Sequence, residues 1–320
     1  MQRDSSAVGE RVRAVFAAAG CQGWCHARDL DADNEIGIGE DVPVAAASVF
    51  KVQVALELFR QVEEGALAAG QRIALDPRGR TPGPTGISLM RDRVEVCLRD
   101  LALLMLTVSD NAATDEIVRT VGLDRVQELG RSLGLTGTCV RGDTSWILDA
   151  IAADCGFPRW EELSAREAVD PLRLRRALRP ENTVSTTPRD STRLLAAIWA
   201  DEGAPPAACA EVRRLMRLQL TRNRLATGFD RSVTVAAKSG SLLGWVRNEV
   251  GVIEVPGRGR FAVAVFTVAE EHYRREAEIN SAIGAAARLL VEGLEGGPEA
   301  RAKGAGRAAA GGSRALSAPF

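Results

Sequence analysis

Apolar positions along this chain change their period twice. Between residues 8 and 19, Val12, Val15 and Phe16 recur at helical spacing and predict an amphipathic first helix. Two short extended segments follow, Gly23–Asp29 and Glu35–Ile38, joined by a polar turn through Asp31-Ala32-Asp33-Asn34. Ser48 opens a long helical pattern with Val52, Leu56 and Phe59 on one stripe and Gly65 near its end. The Pro- and Gly-rich stretch 78–86 reads as loop, and the apolar run 96–108 as a buried helix. Helical spacing then continues to about Leu220, with breaks at Gly156-Phe157-Pro158 and Arg179-Pro180. Beyond it the segments Val233–Ala237, Val250–Val255 and Phe261–Val268 are β-branched and apolar, which predicts strands. A closing helix is predicted over 276–292, with Gly293 placed to end it. From Gly296 onward the chain is Gly-, Ala- and Arg-rich without periodicity, and 296–320 is expected to be a disordered tail.

Strands at both ends of a helical middle mean that one sheet is assembled from distant pieces. The prediction is an α/β fold over 1–295, with an α/β lobe at about 8–44 and 229–295 and an inserted all-helical lobe at about 45–228. A site is expected between the two lobes.

Composition narrows the function. The 320 residues are 46% hydrophobic and 26% charged, an ordinary globular balance. The 41 basic and 42 acidic residues leave a net charge of −1, which argues against a nucleic-acid or anionic-membrane surface. The basic stretches Arg173–Arg179 and Arg213–Arg224 alternate with Leu174, Leu178, Leu215 and Leu218, and read as solvated faces of amphipathic helices. No apolar run is long enough to span a bilayer. Ala14–Ala19 is too short for a secretory leader and follows Arg11 and Arg13, so a cytoplasmic protein is expected. The six cysteines (21, 25, 97, 139, 155 and 209) are irregularly spaced and read as reduced, small buried hydrophobes. With only His26 and His272 beside them, no metal site or other cofactor is expected. The expected state is a monomer.

Three short motifs carry the chemistry. In Ser48-Val49-Phe50-Lys51 the serine and lysine lie one helical turn apart, so a buried Lys51 of lowered pKa could take the proton of a nucleophilic Ser48. The helix N-terminus would aim the Ser48 N–H at a developing oxyanion. The plain alternative is an N-cap serine and a solvent-facing lysine. In Ser109-Asp110-Asn111 the serine would shuttle a proton to the leaving group, Asn111 would hold a substrate amide, and Asp110 would be a buried acceptor. A helix-terminating cap is the ordinary alternative. Lys238-Ser239-Gly240 ends a predicted strand. Lys238 and Ser239 would meet a substrate carboxylate, Gly240 would let the ligand lie against the strand, and the Ser241 N–H would be the second oxyanion donor.

Taken in order, SVFK, TVSDNAATD (107–115), NTVSTTPRD (182–190) and AAKSGSLLGWVRNEVGVI (236–253) resemble the class A β-lactamase family and its relatives, which share a fold with penicillin-binding D,D-peptidases. The resemblance covers nearly the whole chain to about residue 295. It implies an antiparallel sheet flanked by helices, and an acyl-enzyme formed on Ser48 from a β-lactam or other small amide or ester. It also implies that Arg247 helps to bind a substrate carboxylate, although an ion-pair role is open. The sequence departs from the family in two expected respects: no export signal is read, and the Glu-x-x-Leu-Asn motif whose glutamate activates the deacylating water is absent. Residues 141–181 offer Asp143, Asp149, Asp154, Glu161, Glu162, Glu167, Asp170 and Glu181 in its place, with Arg159-Trp160-Glu161-Glu162-Leu163 as a partial echo. Losing that base should slow release by about 10²–10⁴. The alternatives are a cytoplasmic amidase, esterase or transacylase, and a slow-turnover protein that binds a β-lactam or peptide-like ligand. A cell-wall carboxypeptidase would need export. Among the tryptophans 146, 160 and 245, Trp245 is expected nearest the pocket.

Overall fold

The amphipathic first helix, α1 (Gln2–Ala19), buries Val12 and Phe16 and leads directly into β1 (Cys21–Asp29) and β2 (Glu35–Ile38). The computed structural model describes residues 2–166 and 169–295, so the proposed tail and Glu167 lie outside the described residues. After β2 come β3 (Val44–Ala45), a single 3₁₀ turn (Ala47–Phe50) and α2 (Lys51–Glu63). A small antiparallel ribbon, β4 (Arg72–Leu75) with β5 (Val94–Cys97), precedes α3 (Leu98–Thr107), α4 (Asn111–Val121) and α5 (Leu123–Ser132). Three shorter helices follow, α6 (Thr144–Asp154), α7 (Trp160–Ser164) and α8 (Pro171–Ala177), and then β6 (Ser185–Thr186), which pairs back with β3. The chain closes through α9 (Pro188–Trp199), α10 (Pro206–Arg217), β7 (Thr234–Leu242), β8 (Val246–Val255), β9 (Gly259–Ala269) and α11 (Glu276–Glu295).

The main sheet has the order β2-β1-β9-β8-β7, with every neighbour antiparallel. Helices α1 and α11 pack on one face and α9 on the other. β9 therefore lies in the middle and is covered on both sides, which is why Phe261–Phe266 is an unbroken buried apolar run. β7 forms one edge of the sheet, against the 3₁₀ turn that carries Ser48. This is the mixed α/β, antiparallel architecture that the resemblance implies.

Several expectations need correction. Lys238-Ser239-Gly240 lies inside β7 and does not end it, because pairing with β8 continues to Leu242. Gly293 does not stop α11. A Cβ there would stand 3.0 Å from Val8 Cγ2, so this glycine lets α1 pack closely on α11. Arg224 is not on a solvated helical face: α10 ends at Arg217, and Arg224 is buried beyond it. All six cysteines are free, but Cys139 is exposed, in an isolated bridge with Ser185. Among the described residues, no helix is long and apolar enough to cross a membrane.

Candidate active site

Ser48 is held by long-range contacts more than by its own helix. Asn248 on β8 donates its Nδ2 to Ala45 O (2.8 Å) and Ala46 O (3.3 Å), and the Ala46 N–H donates to Val184 O (2.9 Å). Ala47 takes φ +49°, a left-handed conformation that costs a non-glycine residue about 1–3 kcal/mol and persists only where the surroundings over-determine it. The 3₁₀ turn then presents Ser48, and Lys51 opens α2 with its side chain fully buried.

Ser109 bridges the two lysines. Lys51 Nζ donates to Ser109 O (2.8 Å), Ser109 Oγ (3.3 Å) and Asn111 Oδ1 (3.0 Å). Lys238 Nζ donates to Ser109 Oγ (3.0 Å) and Ser239 O (2.7 Å). Ser109 is the second strained non-glycine of the site, at φ +61°. Burial lowers the Lys51 pKa from 10.5 to about 7, against the pull of Asp115 and Asp110. Lys238 is also pushed well down, by burial first and then by the neighbouring Lys51 and Arg224. Lys51 fills its three donor positions with the Ser109 and Asn111 acceptors, and among the described residues Ser48 Oγ is not one of its partners. Asp110 accepts from Ile87 N (2.5 Å), Ala113 N (3.1 Å) and Ser88 Oγ (3.2 Å), the buried acceptor expected of it. Asn111 also donates to Pro82 O (2.8 Å), which ties the 78–86 loop to the site.

The edge of β7 supplies the opposite wall. The Ser239 N–H points off the sheet edge to Gln219 Oε1. N–H groups alternate in direction along a strand, so the Ser241 N–H is the next one on that open edge. Gly240 faces the nucleophile: a Cβ there would be 3.1 Å from Ser48 N and 3.0 Å from Ala47 Cβ. The Ser48 and Ser241 amides thus lie on neighbouring backbone segments, as a pair of donors to one oxyanion would have to.

Arg247 sits opposite Ser241 in the β7–β8 register, but its guanidinium pairs with Glu276 and reaches Asn280 Oδ1 at 3.4 Å. Arg224, not singled out as a site residue from sequence, lies closer to the β7 edge. It donates to Gly240 O (2.8 Å), Asn248 O (2.6 Å), Ser241 Oγ (2.6 Å) and Asn280 Oδ1 (3.0 Å). Burial lowers its pKa to about 10. Glu249 and Gln219, both buried, complete this network. The one local signal for Arg224 is its place beyond the end of α10, directly after the polar run Thr221-Arg222-Asn223. Trp245 closes the β7–β8 turn, 3% exposed, with its ring stacked on His272 (5.1 Å) and under the Arg175 guanidinium of α8 (5.3 Å).

The acids of the 141–181 segment go elsewhere. Asp143 and Asp170 cap α6 and α8, accepting from Trp146 N and Leu172 N at 2.9 Å each, and Asp149 accepts from Trp160 N (2.9 Å). Asp154, Glu161, Glu162 and Glu181 are exposed. Among the described residues, none of these hydrogen-bonds to Ser48, Lys51, Ser109 or Asn111.

Fold and site define the β-lactamase and penicillin-binding-protein class of chain. The model of the beta-lactamase enzyme family matches residues 7–294, and the chain belongs to that family. It is 31% identical over 287 residues to the beta-lactamase regulatory protein BlaB of Streptomyces cacaoi, covering 82% of this chain and 90% of that one. A β-lactamase structure from Sphaerobacter thermophilus superposes with a TM-score of 0.72 at 25% identity, covering 90% of this chain and 97% of its own. The structure of PBP-A superposes equally well, also at 0.72, with 19% identity and coverage of 90% and 96%, which is a likeness of fold.

Proposed function

We propose that this chain is a serine hydrolase of class A β-lactamase type that acylates Ser48 with a β-lactam or another small amide or ester. The observation that carries the reading is Ser109 Oγ, held 3.3 Å from Lys51 Nζ and 3.0 Å from Lys238 Nζ. On deprotonation Lys51 gives up one of its three donor contacts, and the lone pair so freed takes the Ser48 proton as Oγ attacks the carbonyl carbon. The Ser48 and Ser241 N–H groups receive the oxyanion. Ser109 passes the proton from Lys51 to the leaving nitrogen or oxygen, so that bond breaks as the acyl ester on Ser48 forms. Lys238, Ser239 and Arg224 face the substrate carboxylate, and Asn111 holds its amide.

Release is the slow half of the cycle in this reading, because the described acids of 141–181 are caps or solvent-exposed. A second reading follows from that observation and from the relative named as a beta-lactamase regulatory protein: a chain that acylates, turns over slowly and reports the presence of the ligand. An amine in place of water as acyl acceptor, as in a transacylase, needs no water base. Intact-protein mass spectrometry during exposure to a chromogenic cephalosporin separates these readings. Steady colour without a lasting adduct supports hydrolysis. A persistent adduct, lost in Ser48→Ala, supports the slow-release reading. Colour unchanged in Ser48→Ala would refute both.

A further inference from the structure

Glu249 lies one strand in from the β7 edge, 1% exposed, and takes no direct part in the acylation chemistry. A carboxylate buried this deeply is retained at a cost unless both oxygens are used. Here each is used differently. Oε1 accepts from Gln219 Nε2 (2.8 Å), and Oε2 accepts from Leu225 N (2.6 Å). Gln219 spends its other amide hydrogen on Thr221 O (2.9 Å) and turns its own Oε1 to the Ser239 N–H on β7. Leu225 directly follows Arg224, whose guanidinium holds Gly240 O and Ser241 Oγ. One carboxylate therefore secures both arms of the 219–225 connection against the strand that faces Ser48. Burial raises its pKa against the pull of Arg224, the Leu225 N–H, Gln219 and Lys238; Arg247 and Glu276 lie beyond Arg224, and Lys51 beyond Lys238.

We propose that Glu249, acting through Gln219, is a positioning residue for acylation: it fixes the open edge of β7 so that the Ser241 amide, two residues past the anchored Ser239 amide, meets the oxyanion. The inference rests on the Ser48 acylation reading. Glu249 is also the nearby anion that offsets the cations crowding Lys238, and so favours the Lys238 ammonium.

Glu249→Gln keeps the shape, but both partners of the carboxylate are N–H donors, so the new NH2 must confront one of them. The acylation rate constant at saturating cephalosporin is expected to fall roughly 10- to 100-fold, less than outright loss of an oxyanion donor, with a smaller change in the half-saturating concentration. The alkaline limb of the rate should move to lower pH, because Lys238 has lost its anion. Gln219→Leu should show the rate loss without that shift, and the double variant should lose little more than the worse single one. Additive losses, or a folded Glu249→Gln within twofold of wild type with an unmoved alkaline limb, would overturn the proposal. If Glu249→Gln does not fold, Gln219→Leu carries the test by its rate constant alone. Absence of any Ser48 adduct in the wild type would defeat the acylation reading by itself. Amide hydrogen exchange then decides separately: faster exchange confined to 238–242 in Glu249→Gln supports the anchoring, and unchanged exchange overturns it.

Discussion

Gly240 packs against the turn that carries Ser48: a Cβ on Gly240 would stand 3.1 Å from the Ser48 amide nitrogen and 3.0 Å from Ala47 Cβ. The strand and the Ser48 turn are thereby pressed together with no room for a side chain on Gly240. That spacing lets amides from two different segments address one oxygen atom.

Gly240→Ala should force those segments apart by a few tenths of an ångström. Overpacking of this kind costs about 1–3 kcal/mol, and if it falls on the transition state the acylation rate drops roughly 5- to 150-fold. Stopped-flow acylation measured beside thermal melts checks this. A full acylation rate in the folded variant would show that the contact is slack.

Lys51 should set the acid limb of acylation. Its pKa of about 7 means that the neutral base gains population as pH rises through that value, so the rate should climb there, before the alkaline limb at which Lys238 loses its proton. The folding linkage has the same direction. Between about 7 and 10.5 the unfolded chain holds a proton that the folded chain has lost, so this residue's contribution to stability rises with pH over that window. Lys51→Arg, which cannot deprotonate, should lose roughly 10²–10⁴ of the acylation rate. A pH–rate profile flat from 6 to 9 would exclude Lys51 as the base.

Small amines should release the acyl group faster than water does. An α-nucleophile such as hydroxylamine needs no general base to attack an ester, so millimolar amounts should shorten the lifetime of the Ser48 adduct in a concentration-dependent way. Mass spectrometry reads the lifetime directly. Indifference to the amine, with rapid release in water, would mean that a base does serve the site.

His26 should make the fold sensitive to acid far from the nucleophile. The Thr192 hydroxyl donates to Arg189 O (3.0 Å), so its oxygen accepts from His26 Nδ1 (2.6 Å), leaving Nε2 unprotonated toward Arg189 Nη1 (3.5 Å). Burial is the main cause that lowers its pKa from 6.5 to about 4, with Glu35 opposing. From about 6.5 down to about 4 the unfolded chain takes up a proton that the folded one refuses, so stability falls as pH drops, by about 3 kcal/mol at most. Denaturant melts at pH 7 and pH 4.5 should differ by less in His26→Gln than in the wild type.

Local pattern was enough for most elements and for the candidate reacting groups that the structure brings together. Val12, Val15 and Phe16 marked α1; Glu35–Ile38 matched β2; and Ser48, Lys51, Ser109 and Lys238 stood out because their motifs occur in a set order. Local propensity puts Lys238 at a strand terminus, because Ser239-Gly240-Ser241 lacks β-branched apolar residues. Pairing with β8 overrides that weak propensity and carries the strand to Leu242.

The periodicities, the order of the motifs and the missing Glu-x-x-Leu-Asn are legible along the chain, since each is written in neighbouring residues. Which polar side chains are buried, and whom they meet, is set by the packing of distant segments. Arg224, Gln219, Asn248 and Glu249 resemble any surface residues when read along the chain, and their partners lie up to 203 residues away, as Asn248 and Ala45 do. A buried charge is tolerated only once its partners have assembled, so its role is a property of the packed sheet and not of any short segment.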